Sequence, residues 1–76
     1  MNIQCPPLHS VWEDIDGSKW FVDEITEVDG TFFASVVPYG ERDDMSAIAE
    51  ELDADEWQAF SDENVLNMIG IEPRNG

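Results

Sequence analysis

Two Asp-Gly pairs, Asp16-Gly17 and Asp29-Gly30, constrain this chain more than any other feature. A two-residue hairpin turn of the favoured kind needs positive φ at both central residues, which Asp tolerates and Gly takes freely. Each pair lies between residues that favour strands, so each reads as a hairpin turn. A two-residue turn at Asp16-Gly17 sets Asp14 against Lys19, Trp12 against Phe21 and Val11 against Val22. Those are an opposite-charge, an aromatic and a β-branched pair, all favourable across strands. A turn at Asp29-Gly30 sets Ile25 against Ala34 and Thr26 against Phe33. The expected opening is a three-stranded antiparallel β-meander over about 9–16, 18–28 and 31–38, closed by Pro38-Tyr39-Gly40. Pro6 and Pro7 make residues 1–8 an extended lead-in.

The second half reads as helix, giving an α+β class. Met45, Ile48, Ala49 and Leu52 follow the spacing of one apolar helical face, with Asp43 or Asp44 as N-cap. Continuing that helix would bring Glu56 onto the apolar face, so it breaks at Asp53. Asp53 and Glu56 have capping-box spacing for a second helix carrying Trp57 and Phe60. Ser61 caps a third, with Val65, Leu66 and Ile69 buried and Gly70 as its stop. The expected elements are two or three short α-helices over about 44–52, 54–60 and 62–69, with a frayed tail over 71–76. The expected core is Val11, Trp20, Val22, Ile25, Phe33, Val37, Ile48, Leu52, Trp57, Phe60, Leu66 and Ile69. Phe21, Phe32 and Val36 fall on the opposite sheet face, so the sheet either curls into a small barrel or meets a partner there.

At 76 residues the chain holds one domain over 1–76, which buries only about 60% of its unfolded surface. It carries 18 Asp and Glu against 3 Lys and Arg, a net charge of −15. Such charge alone suggests disorder, but 42% hydrophobic and 11% aromatic residues spread along the chain supply a core. The one cysteine, Cys5, forms no internal disulfide, which fits a reducing cytoplasm, or a host cytoplasm for a phage-encoded chain. No signal peptide or membrane span is legible. The charge repels an anionic membrane surface and opposes direct binding of DNA or RNA.

No residue set amounts to a catalytic signature. His9 and Cys5 lie four residues apart in a proline-bearing segment with no orienting group in sight. Cys5-Pro6 is only a dipeptide match to haem-regulated proteins. Eighteen acids place some pair at glycosidase spacing by chance, without a walled cleft. A calcium-loop alignment with Gly17 at the sixth position gives Asp14 and Asp16 as ligands, but puts Trp12 where the first ligand belongs and Asp23 at the twelfth position. No glycine-rich phosphate loop is present, and Lys19, Arg42 and Arg74 are too few to hold phosphate against the field. No enzyme activity, metal or cofactor is expected.

What remains is the acidic surface. Seven acids and one Lys fall between Glu13 and Asp29, and ten acids and one Arg between Glu41 and Glu63. Alternate residues on a strand are about 6.6–7 Å apart, and helical neighbours three or four apart about 5–6 Å, so carboxylates on either scaffold approximate a run of phosphates. The candidate rows are Asp14, Asp23 and Glu27 on the sheet, and Asp43, Asp44, Glu50, Glu51, Asp55, Glu56, Asp62 and Glu63 on the helical part. In size and charge the chain resembles the small acidic inhibitors carried by phages and mobile elements, which imitate nucleic acid and block restriction, CRISPR or nucleoid proteins. The resemblance rests on composition and carries no residues. It implies an anti-defence inhibitor, a DNA mimic, whose partner is a basic protein that binds nucleic acid. An immunity protein or antitoxin against a basic toxin needs the same complementarity. A reading of another class is a structural or assembly module, an SH3-like barrel whose aromatic face of Trp12, Phe21, Phe32 and Tyr39 packs on a partner or on a second copy as a homodimer.

Overall fold

In the computed structural model, which describes residues 3–73, the chain is a five-stranded antiparallel sheet with one α-helix. The strands are β1 Ser10–Glu13, β2 Lys19–Val28, β3 Thr31–Pro38, β4 Glu50–Asp53 and β5 Asn67–Ile71, and the helix is α1 Ala54–Asn64. Their order in the sheet is β4-β3-β2-β1-β5. The expected meander is its centre, and each of its edges is extended by a segment that the sequence pattern assigned to helix.

The two Asp-Gly turns differ. Asp29 and Gly30 have φ of 50° and 80°, and Val28 pairs with Thr31 across a two-residue loop. Ile25 then faces Ala34 and Thr26 faces Phe33, the pairing that this turn predicts. At Asp16-Gly17 the loop is one residue longer. The Gly17 N–H donates to the Asp14 carbonyl, and Gly17 alone has positive φ, at 88°. This is a tight turn followed by a left-handed glycine, the usual three-residue hairpin loop. Trp12 therefore faces Trp20 and Val11 faces Phe21, one residue off the expected register. A one-residue slip exchanges the faces of a strand. Trp12 and Trp20 accordingly share the helix side with Val22 and Phe32, while Val11 and Phe21 join Val37 on the other side. Phe21 and Phe32, expected to face outward, are 0% and 5% exposed.

The helices expected over 44–52 and 62–69 do not form. The Asp44 side chain accepts the Ser46 N–H and hydroxyl, and the Ala47 N–H donates to the Asp44 carbonyl, so the chain turns there. Residues 50–53 then extend and pair with β3, Leu52 opposite Ala34. Pairing with β3 supplies backbone partners that outweigh a helical face of four residues. Ile48, read as core, is 88% exposed, and Met45, read on the same apolar helical face, is 102% exposed.

The helix that does form is the one the capping box marks. Asp53 accepts the Glu56 N–H at 2.8 Å, and Glu56 accepts the Asp53 N–H at 3.1 Å. It runs past residue 60 to Asn64, taking in only the first residues of the span expected for the third helix. It ends at Val65, whose φ of 51° and ψ of 55° are left-handed. Beyond it the chain extends as β5 along β1, with Glu13 facing Asn67 and Trp12 facing Met68. Gly70 lies within that strand and Ile69, read as core, is 50% exposed. Ile71 and Glu72, read as frayed tail, are a strand end and a bonded residue, and residues 74–76 lie outside the described part.

A β-branched residue in the left-handed region costs about 1–2 kcal/mol, whereas glycine takes it without strain. Val65 is 53% exposed, so little packing is at stake. Val65→Gly is therefore expected to raise stability by about 1 kcal/mol, read as a higher urea midpoint with unchanged slope.

The α1 segment crosses one face of the sheet, linking β4 on one edge to β5 on the other. Trp57 is its anchor, 3% exposed and edge-on to Trp12 with ring centres 5.2 Å apart. Phe60 packs edge-on to Trp20 at 5.4 Å. The other face buries Val11, Phe21 and Val37, covered by Tyr39 and by His9, whose ring stacks on Phe21. Burial on both faces is why Phe21-Val22 and Val36-Val37 are adjacent apolar pairs rather than an apolar-polar alternation.

Candidate protein-binding surface

The acids surround this sheet without entering it. All 18 carboxylates are described, and none is buried. Arg42 forms an ion pair with Glu72 at 3.6 Å. Arg42 also lies over the Tyr39 ring at 3.8 Å, and the Tyr39 hydroxyl donates to Glu72. That hydrogen bond to a carboxylate pushes the Tyr39 phenol above its ordinary pKa, with burial adding to the effect. One of the two described bases is thus committed to a structural cluster that ties residue 72 to the β3–β4 connection.

Some acids have work inside the fold. Asp14 accepts the N–H groups of Asp16 and Ser18 and the indole N–H of Trp20, fixing the first turn. Burial opposes its ionisation, but these bonds, with a further one from the Gly17 backbone, outweigh it and hold the carboxyl below its usual range. Asp44 is held low by its bonds from the Ser46 hydroxyl and N–H. Asp53 and Glu56 form the capping box.

The predicted sheet row of Asp14, Asp23 and Glu27 is not one row. Asp14 is folded into its turn. Pairing shifts between Val22 and Glu24, so Asp23 is the extra residue of a bulge, and the alternation restarts beyond it. Asp23 joins Glu41, Asp43 and Asp44 around a shallow depression of about 330 Å³ that Met45 also lines. Glu27 instead lines grooves with Cys5 on the side of the lead-in. The longer predicted row divides into three. Asp43 and Asp44 border the depression, Glu50 and Glu51 are consecutive on the edge strand β4, and Asp55, Glu56, Asp62 and Glu63 lie on α1.

The structure adds Glu41, Met45 and Ile48 to this surface. Met45 and Ile48 stand fully exposed between Asp43-Asp44 and Glu50-Glu51, giving apolar contacts inside an acidic border. Their helical spacing hid them. The Asp-x-Ser sequence at 44–46, a side-chain-capped turn, was the signal that could have exposed them.

The aromatic face of the assembly reading is dispersed. Trp12 and Phe32 pack under the helix, Phe21 is buried on the other side, and Tyr39 lies beneath Arg42. Cys5 and His9 do not meet, since Cys5 packs with the helix-side core and His9 stacks on Phe21 opposite. Burial and the nearby Glu27 carboxylate push the Cys5 thiol up, away from the reactive thiolate. Among the described residues no three His, Cys, Asp or Glu side chains gather as metal ligands. No helix among them is long and apolar enough to cross a membrane.

Residues 11–66 match a family described as a domain of unknown function, DUF8087. The chain belongs to that family. The matched DUF8087 segment starts in β1, stops before β5, and contains every acid except Glu72. No curated protein and no solved structure matches the chain.

At the C-terminal end of α1 the charge is placed against helix stability. The C-terminal end of a helix is its negative pole and favours bases. Its last turn holds no base, and Asp62 and Glu63 occupy it. Glu63→Lys is expected to raise stability by about 0.3–1 kcal/mol, checked by thermal unfolding at low salt. A fall in stability there would show that Glu63 serves the fold.

Proposed function

We propose that this chain is a non-catalytic acidic binding protein that occupies the basic surface of a nucleic-acid-binding protein, in the manner of a DNA mimic. The observation that carries the reading is a set of exposed carboxylates converging from separate parts of the chain. Asp23 comes from β2, and Glu41, Asp43 and Asp44 from the β3–β4 connection, to border one depression beside exposed Met45. Acids close together repel, so gathering them there carries a cost in self-repulsion. A groove lined by Lys and Arg gains from meeting them, because it exchanges bound phosphates for carboxylates at similar spacing. Met45 and Ile48 supply the apolar contact that charge alone lacks, with acids as the polar rim. Such a binder suits a phage or mobile element that must silence a host defence protein.

The test has two steps. Tagged chain is used to capture a basic nucleic-acid-binding protein from lysate at low salt. The captured protein is then loaded with labelled duplex, and the chain is added while fluorescence anisotropy is followed. The expected result is release of the duplex in proportion to added chain, weakening steeply with salt. A captured protein that holds chain and duplex together without competition overturns the reading.

A further inference from the structure

Arg42 lines the same depression as Asp23, Glu41 and Asp44, yet its guanidinium is held by other groups. One guanidinium N–H donates to the Tyr39 carbonyl at 2.8 Å, and Cζ lies 3.8 Å over the Tyr39 ring. Those two contacts belong to its own turn. The third partner is Glu72, 3.6 Å from Nε, which lies just beyond β5 and has no part in that turn. Glu72 is anchored independently of Arg42. Its backbone N–H donates to the His9 carbonyl at 2.9 Å, and its carboxylate accepts the Tyr39 hydroxyl. Arginine is a long, flexible base, and the carboxylates of Glu41 and Asp23 attract it as well. A base lying among those acids cancels part of the field that a basic partner meets. Glu72 offers a competing carboxylate outside the lining of the depression.

We propose that Glu72 is a positioning residue for the acidic depression: it draws Arg42 onto Tyr39 and so keeps that base off the acids that a basic partner meets. This role rests on the depression being the binding surface proposed above. Arg42 then has two places to lie, on the Tyr39 ring beside Glu72 or among the acids. The Arg42 and Glu72 side chains are 26% and 46% exposed, and an ion pair so open to water is a modest one. Glu72 therefore shifts the balance between the two places by a few-fold rather than locking one of them.

The test is a double-mutant cycle of Glu72→Gln and Arg42→Gln on the full chain. Labelled oligolysine is the basic probe, and its fluorescence anisotropy at low salt reads the affinity. Circular dichroism verifies that each variant is folded. Glu72→Gln is expected to weaken oligolysine binding about two- to fivefold more when Arg42 is present than in the Arg42→Gln chain, which has no base to release. Arg42→Gln alone should strengthen binding. A merely structural brace predicts the reverse, because losing either partner loosens the connection that carries Glu41 and Asp44. NMR gives a reading that needs no partner. The Arg42 side-chain protons are shifted upfield by the Tyr39 ring in the unmodified chain, and Glu72→Gln should remove most of that shift. Three results each overturn the proposal: Glu72→Gln costs the same in both backgrounds, Arg42→Gln weakens binding, or Arg42 keeps its ring shift without Glu72. The binding reading fails in its own way. If Asp23→Lys with Glu41→Lys leaves oligolysine affinity unchanged, that reading falls and takes this role with it, even where the Arg42 shift depends on Glu72.

Discussion

Trp57→Ala is expected to bring the chain close to its unfolding midpoint at room temperature. Truncating a buried Trp costs about 3–5 kcal/mol, and a small domain has about 5–15 kcal/mol in all, with short chains at the low end. Trp57 is 3% exposed and is the point where α1 meets the sheet, edge-on to Trp12 and 6.2 Å from the Phe60 ring. Its loss also removes the contact that holds the Trp12 strand under the helix. The measurement is urea unfolding followed by far-ultraviolet circular dichroism. Ile48→Ala is the contrast. The helical spacing of residues 45–52 puts Ile48 in the core, where its truncation would cost about 2–5 kcal/mol. The structure leaves it 88% exposed, so the expected change is within about 0.5 kcal/mol. A large loss at Ile48 and a small one at Trp57 would contradict the packing described above.

The elements that sequence reasoning placed correctly are those with a local cause. Asp29-Gly30 fixes its hairpin because the left-handed angles it needs are a property of those two residues. The Asp53 and Glu56 capping box starts its helix because both bonds close within one turn. The misread elements are those decided at a distance. A three-stranded meander leaves two unpaired edges, and residues 50–53 and 67–71 fill them as β4 and β5. Nothing within Ala49-Glu50-Glu51-Leu52 or Leu66-Asn67-Met68-Ile69 announces that demand. Their apolar spacing suits a helix, and tertiary pairing overrides it.

The register of the first hairpin was lost by a single residue. Asp16-Gly17 has the composition of a two-residue turn, but the Asp14 carboxylate takes the Asp16 and Ser18 N–H groups and closes a longer loop. That bond moved Trp12 and Phe21 to opposite faces and removed the exposed aromatic surface on which the assembly reading depended. The candidate site shows the same division. Its charge was legible from composition, but its geometry was not. The bulge at Asp23 has no signature in the sequence, and it is what brings that residue beside Glu41, Asp43 and Asp44.

Whether the site is a place or merely a field is decided by reversing charge at two positions with no role in the fold. Asp23 and Glu41 are exposed, border the depression and lie on separate segments. Asp23→Lys with Glu41→Lys is expected to slow association with the captured basic protein by about 10–1,000-fold, the range of electrostatic steering. Stability should hold or rise, since each reversal relieves self-repulsion. The control is Asp16→Lys with Glu27→Lys, which changes net charge equally but acts at the first turn and the lead-in groove. A local site predicts that the control loses far less, mostly through the general field. Equal losses in both variants would mean that the depression recognises nothing and the total charge acts alone. In that case Met45→Ser and Ile48→Ser should also leave affinity unchanged. If the depression is the site, they raise the dissociation rate with little effect on association, because apolar contacts act after the charges have steered the partner into place.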